Sequence, residues 1–165
     1  MTDLTIRFAG PDDAPQILAF IRELAEYERL AHEVVADEAQ LRATLFGVRP
    51  AAEVLIAELA SEAVGFALFF PNYSTFLAQP GLYLEDLFVR PAARSRGVGG
   101  ALMAACARIA VERNYGRFEW SVLDWNEPAL TFYAALGARA LSDWTGHRLV
   151  GAPLAALAER WPRPV

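Results

Sequence analysis

The segment Arg94-Ser95-Arg96-Gly97-Val98-Gly99-Gly100 joins an apolar run ending at Val89-Arg90-Pro91 to a long stretch with apolar residues at helical spacing. Glycines at such a junction let backbone approach a ligand closely. The start of a helix turns unpaired N–H groups outward, and its dipole favours an anion. Arg94 and Arg96 add cations suited to phosphate oxygens. A Walker loop would need Gly-Lys-Ser/Thr, and the sequence contains no lysine; all 15 basic residues are arginine. A dinucleotide fingerprint would need a different glycine spacing and a later acidic residue. On its own, the turn is equally well read as a tight strand-to-helix connection.

A pair of carboxylates, Glu85-Asp86, interrupts the apolar run before that turn. Charge inside an apolar strand is costly unless it is paired or used. Successive strand residues point to opposite faces, so the two share a side only if the strand bulges. Tyr133 follows Phe132 on a stretch opened by Asn126, whose side chain can cap a helix. By residue type alone, Tyr133 reads as a core tyrosine and Glu28 as a solvated helix end.

The elements that must position these groups follow from periodicity and punctuation. Residues 4–9 read as a strand. A helix opens at Pro11-Asp12-Asp13 and carries Ile17, Phe20, Ile21 and Leu24 to about Glu28. Residues 37–46 form a second helix, with Asp37 as cap and Gln40 at capping-box spacing. Residues 53–59 and 63–73 read as a hairpin around Ser61-Glu62, and 82–89 as a strand ended by Pro91. A long helix spans 97–113, a strand 118–123, a helix 126–136 and a last strand 144–150, with a short helix over 153–160. The order, β-α-α-β-β-β-α-β-α-β, is that of an α/β protein with a mixed central sheet flanked by helices.

Composition bounds the class. With 165 residues and 55% hydrophobic content, residues 1–165 are expected to form a single domain with one core. The net charge of −5 and the lack of a basic cluster argue against nucleic acid. No apolar run is long enough to span a bilayer, so no membrane association is expected. The start Met1-Thr2-Asp3 lacks a basic-then-apolar leader, and one cysteine, Cys106, leaves no internal disulfide. A cytoplasmic location follows as the expectation. His32 and His147 have no partner at metal spacing, so no metal is expected. Trp144 and Trp161 read as core or interface aromatics.

Tyr83-Leu84-Glu85-Asp86-Leu87-Phe88-Val89-Arg90-Pro91 followed by Arg94-x-x-Gly97-x-Gly99 resembles the acetyl-CoA-binding motif of the GNAT superfamily of N-acetyltransferases. The element order is similar too. Tyr27-Glu28 after Ile21-Arg22-Glu23-Leu24-Ala25, the block Trp125-Asn126-Glu127-Pro128-Ala129-Leu130-Thr131-Phe132-Tyr133, and Gly137-Ala138 resemble its diamine acetyltransferase branch. That branch holds spermidine/spermine and thialysine acetyltransferases. The likeness runs from Ile6-Arg7 to Arg148-Leu149.

The resemblance implies the GNAT fold, acetyl-CoA as donor and a small-molecule primary amine as acceptor. It implies a donor site at Leu87, Phe88, Val89, Arg94, Ser95, Arg96, Gly97, Val98, Gly99 and Gly100, with contacts from Asn126 and Tyr133. Tyr133 would be the general acid. Glu85 would be the base through a water, with an arginine ion pair as its other reading. Tyr27, Glu28, Glu85, Asp86 and, more distantly, Glu119, Trp120 and Ser121 would meet the amine. A homodimer is also implied.

Two departures bear on substrate. Lysines that the mammalian-type enzymes carry near the donor phosphates and in the tail are absent, and the loop 73–81 contains no acidic residue. A non-catalytic acyl-CoA sensor, or an enzyme for protein or antibiotic amines, are the competing readings.

Overall fold

The computed structural model describes residues 3–160. The chain forms two compact units, one ending at Ser121 and the other beginning at Val122.

The first unit is built on a five-stranded sheet in the order β1-β2-β3-β4-β5. Its strands are β1 (Leu4–Phe8), β2 (Glu53–Leu59), β3 (Glu62–Ser74), β4 (Gln79–Val89) and β5 (Phe118–Trp120). The first four pair antiparallel, whereas β5 runs parallel to β4, so the sheet is mixed as expected. Helices α1 (Ala14–Tyr27), α2 (Glu38–Phe46) and α3 (Val98–Glu112) complete the unit.

Local chemistry explains the boundaries. Asp37 caps α2 by accepting from the Gln40 amide at 2.8 Å, and the Asp37 amide donates to the Gln40 side chain at 3.0 Å. This is the reciprocal capping box that the spacing implied. β2 and β3 are joined through Ala60 and Ser61, both with positive φ (49° and 66°). Two such residues make the primed turn whose twist suits a hairpin.

The core lies between α1 and the sheet. Ile17 and Phe20 of α1 are fully buried with Ile56 and Phe66. The Phe20 ring stacks on Phe66 (5.4 Å between centroids, 7° between planes) and tilts against Phe88 at 6.2 Å. Arg90 locks α1 to the end of β4: its guanidinium lies 4.9 Å from the Phe20 ring centroid and donates to Glu23 at 2.7 Å. That bond holds the Arg90 guanidinium above its ordinary basicity. Cys106 is buried in α3, and burial pushes its thiol up to about 12, so it stays protonated.

The second unit contains α4 (Glu127–Ala135) and α5 (Gly151–Ala158). α4 matches the helix expected after Asn126. The strand expected over 144–150 does not form. Alternation there gives no apolar face: Trp144, Gly146, Arg148 and Val150 fall on one side, Thr145, His147 and Leu149 on the other. Trp144 is 81% exposed and so is not a core residue. Trp161 lies outside the described residues. No helix among the described residues is long and apolar enough to cross a membrane.

Candidate active site

Both edges of β4 change character at Glu85. Asp86 stands opposite Leu68, and Leu84 opposite Phe69, so Glu85 is an inserted residue without a partner on β3. Phe69 and Leu68 are neighbours on β3 and point to opposite faces. Leu84 and Asp86, two apart, therefore also lie on opposite faces, which only a bulge permits. Asp86 shares a face with Phe88, the side packed on α1. The strict opposition expected of Glu85 and Asp86 is thus removed.

The same point is where β5 leaves. β5 pairs with β4 only at Leu82, Tyr83 and Leu84, opposite Phe118, Glu119 and Trp120. This shortens β5 relative to the expected 118–123. From Glu85 to Val89, β4 has β3 on one side and, among the described residues, no strand on the other. The Arg90 amide donates to Val64 of β3 at 2.9 Å. By alternation in an antiparallel ladder, Phe88 also turns its polar backbone groups to β3, whereas Leu87 and Val89 turn theirs to the open edge.

The glycine turn follows directly. Pro91–Ala93 forms one turn of 3-10 helix, and Gly97 is the N-cap of α3 with φ 81°, a left-handed value that favours glycine. The Ala101 amide donates to the Gly97 carbonyl at 2.9 Å, which leaves the amides of Val98, Gly99 and Gly100 as the helix's unpaired first turn. A Cβ added at Gly97 or Gly100 would meet nothing within 4 Å. Val98 is buried and anchors the turn, while Ser95 and Arg96 are exposed. An open strand edge leading to a helix N-terminus with free amides and surrounding space fits an extended ligand ending in phosphates. Those features fit CoA.

Arg94 is not aimed out of the turn. Its Nε donates to the Val89 carbonyl at 3.0 Å, and its guanidinium lies 4.8 Å from the Tyr27 ring centroid and 6.0 Å from that of Phe88. Neither Tyr27 nor the Arg90–Glu23 pair could be linked to this strand end from sequence, because the partners are 67 residues apart.

The carboxylates gather around Asp86. Burial first, then the charges of Glu85 and Glu28, push its carboxyl up from 3.8 to about 6. Glu28, which caps α1 and is half-buried, is also raised by burial. Glu85 is exposed. Glu85 and Glu28 therefore both repel a negative charge on Asp86, a repulsion that a bound cation would relieve. Of the β5 residues, Glu119 is neutralised: Arg117 pairs with it at 2.6 Å and the Asn72 amide donates to it at 2.8 Å. Ser121 shares a hydrogen bond with the Tyr83 hydroxyl at 2.8 Å. Trp120 packs on Phe118 at 4.9 Å.

In the second unit, the Asn126 side chain accepts from the Ala129 amide at 3.4 Å and caps α4, with Pro128 in the first turn. Tyr133 is half-buried on α4 with its ring 5.3 Å from Phe132.

A bulged strand whose free edge runs into a glycine turn at a helix start suits an extended ligand that ends in phosphates, as an acyl-CoA does. The sequence pattern of the Acetyltransferase (GNAT) family matches residues 17–138, and the chain belongs to that family of N-acetyltransferases. It is 37% identical over 169 residues to a thialysine N-epsilon-acetyltransferase of Sus scrofa, covering 96% of this chain and 99% of that one. It is 35% identical over 197 residues to the L-ornithine N5-acetyltransferase NATA1 of Arabidopsis thaliana, covering 92% and 86%. The fold matches an integron cassette protein from the mobile metagenome of V. cholerae (TM-score 0.80, 25% identity, 96% of this chain and 99% of that one).

Proposed function

We propose that the protein transfers the acetyl group of acetyl-CoA to a primary amine of a small molecule, a polyamine or a thialysine-like amino acid. The observation that carries this reading is the grouping of Glu28, Glu85 and Asp86 beside the open edge of β4. The names of the relatives, thialysine and ornithine acetyltransferases, support the same acceptor class.

The donor contributes an activated thioester. Leu87 and the Val89 amide offer backbone groups to its extended arm, the Val89 carbonyl being held by Arg94, and the amides of Val98, Gly99 and Gly100 take its phosphates. The exposed Arg96 stands by for the remaining charge. An alkylammonium, with a pKa of about 10.4, has no lone pair and must lose a proton before it can attack. Glu85, the bulged and exposed residue, takes that proton through a water. Asp86 and Glu28 hold the amine and any second cation. The Leu87 amide faces the oxygen that gains charge. Tyr133 gives its phenolic proton to the departing thiolate, in line with the tyrosine of the motif it resembles. The amine thus ends as an amide and CoA as a free thiol.

The family match runs across the boundary at Ser121, which supports reading residues 1–165 as one acetyltransferase domain. The enzyme is read as a cytoplasmic homodimer, on the single cysteine and on the branch it resembles.

Thiol release from acetyl-CoA across a panel of diamines, polyamines, ornithine, thialysine, aminoglycosides and peptide amines tests the acceptor. Release is expected with the small diamines and amino acids. CoA binding with no release for any amine between neutral and mildly alkaline pH would instead make the protein a sensor.

A further inference from the structure

The aromatic ring that ends α1 touches the donor turn, through Arg94. Three contacts fix that arginine: its Nε on the Val89 carbonyl at 3.0 Å, the Tyr27 ring at 4.8 Å and the Phe88 ring at 6.0 Å. The Val89 carbonyl belongs to the open edge of β4, and Arg94 begins the turn that leads into α3. A planar guanidinium over aromatic faces is held in orientation as well as attracted. Phe88 is buried and belongs to the core, so its face is fixed. Tyr27 is 36% exposed at a helix end, and its ring is the side of the clamp that substitution can remove without opening the core.

We propose that Tyr27 is a positioning residue for the acyl donor: its ring face holds Arg94 against the Val89 carbonyl and so sets the start of the phosphate-binding turn. This rests on the reading of that turn as the CoA site. It gives Tyr27 a second role beyond the acceptor amine, and it ties the two substrate sites together through one side chain. Tyr27 is followed by Glu28, one of the carboxylates that raise Asp86. A change in where Tyr27 sits is therefore felt on both sides, by the donor through Arg94 and by the amine through Glu28.

The test is calorimetric titration with CoA and no amine, which removes any acceptor role from the readout. Tyr27→Phe keeps the ring face and is expected to bind CoA within about twofold of the wild type. Tyr27→Leu keeps bulk and loses the face, and its Kd is expected to rise about 3- to 10-fold. In an Arg94→Ala background the same Tyr27→Leu change is expected to add no further loss. Wild-type affinity in Tyr27→Leu would overturn the inference, as would additive losses in the double variant, since a merely structural role predicts additivity. A wild-type protein that binds no CoA would instead remove the underlying reading of the turn.

Discussion

Leu84 and Trp120 are the last residues at which β4 and β5 stay paired, and the bulged Glu85 follows Leu84 directly. One backbone event thus does two things. It ends the parallel ladder, freeing the edge at Leu87 and Val89, and it turns Asp86 to the face of α1. Hydrogen-bonding groups for an extended ligand and carboxylates for a cation are generated within five residues.

Asp86 should make the protein less stable as pH rises. Its folded carboxyl titrates near 6, against an ordinary 3.8. Between those values the folded state binds more protons than the unfolded state, so stability present below about 4 is lost as pH rises through about 6. Asp86→Asn is therefore expected to raise stability by about 1–3 kcal/mol at pH 7.5 and to change it little near pH 4. Urea unfolding at the two pH values measures this. A polycationic amine should stabilise the wild type at pH 7.5 more than the variant.

Gly100 separates the needs of the fold from those of the ligand. It is the third residue of α3, and a Cβ there would meet nothing within 4 Å. Gly100→Ala should thus stabilise the free protein by up to about 1 kcal/mol through helix propensity. The methyl would stand beside the first-turn amides, so CoA affinity should fall. Thermal unfolding with and without CoA should show a raised Tm in the free variant and a smaller ligand-induced shift than in the wild type.

Ala60 and Ser61 hold the β2–β3 hairpin in a conformation that neither residue favours, with φ of 49° and 66°. Asparagine followed by glycine suits both positions of a primed turn. The double change Ala60→Asn, Ser61→Gly should raise stability by about 1 kcal/mol. Chemical denaturation should show a higher midpoint with the same slope.

Much of this was readable from local signals. The Asp37–Gln40 spacing marked a helix start because a capping box is made by four consecutive residues. The adjacency of Glu85 and Asp86 posed the question of a bulge, since a carboxylate pair in a regular strand must put one charge into the core. Register answered it, and register depends on β3, a partner outside the local sequence. Glu119 shows the limit from the other direction. Its neutralisation needs Asn72, 47 residues away, and its neighbour-but-one Arg117. The expected strand over 144–150 had β-branched and aromatic residues but no consistent face, and propensity without a partner does not make a ladder.

Tyr133 carries the last prediction. Phenylalanine retains the ring beside Phe132, 5.3 Å away, and removes only the hydroxyl, so Tyr133→Phe is expected to keep the fold. On the proposed mechanism, the lost hydroxyl is the proton source for the departing thiolate. A general acid contributes about 10²–10⁴-fold. A thiol with a pKa of about 8.5 leaves readily even without help, which puts the expected loss in kcat near the lower end, about 100-fold. CoA affinity should stay within about twofold, because no binding group is removed from the glycine turn. Turnover equal to the wild type at pH 7 would assign the hydroxyl a structural hydrogen bond instead. If the acid role holds, the deficit should shrink when the leaving thiol is made more acidic, since a more stable thiolate depends less on protonation.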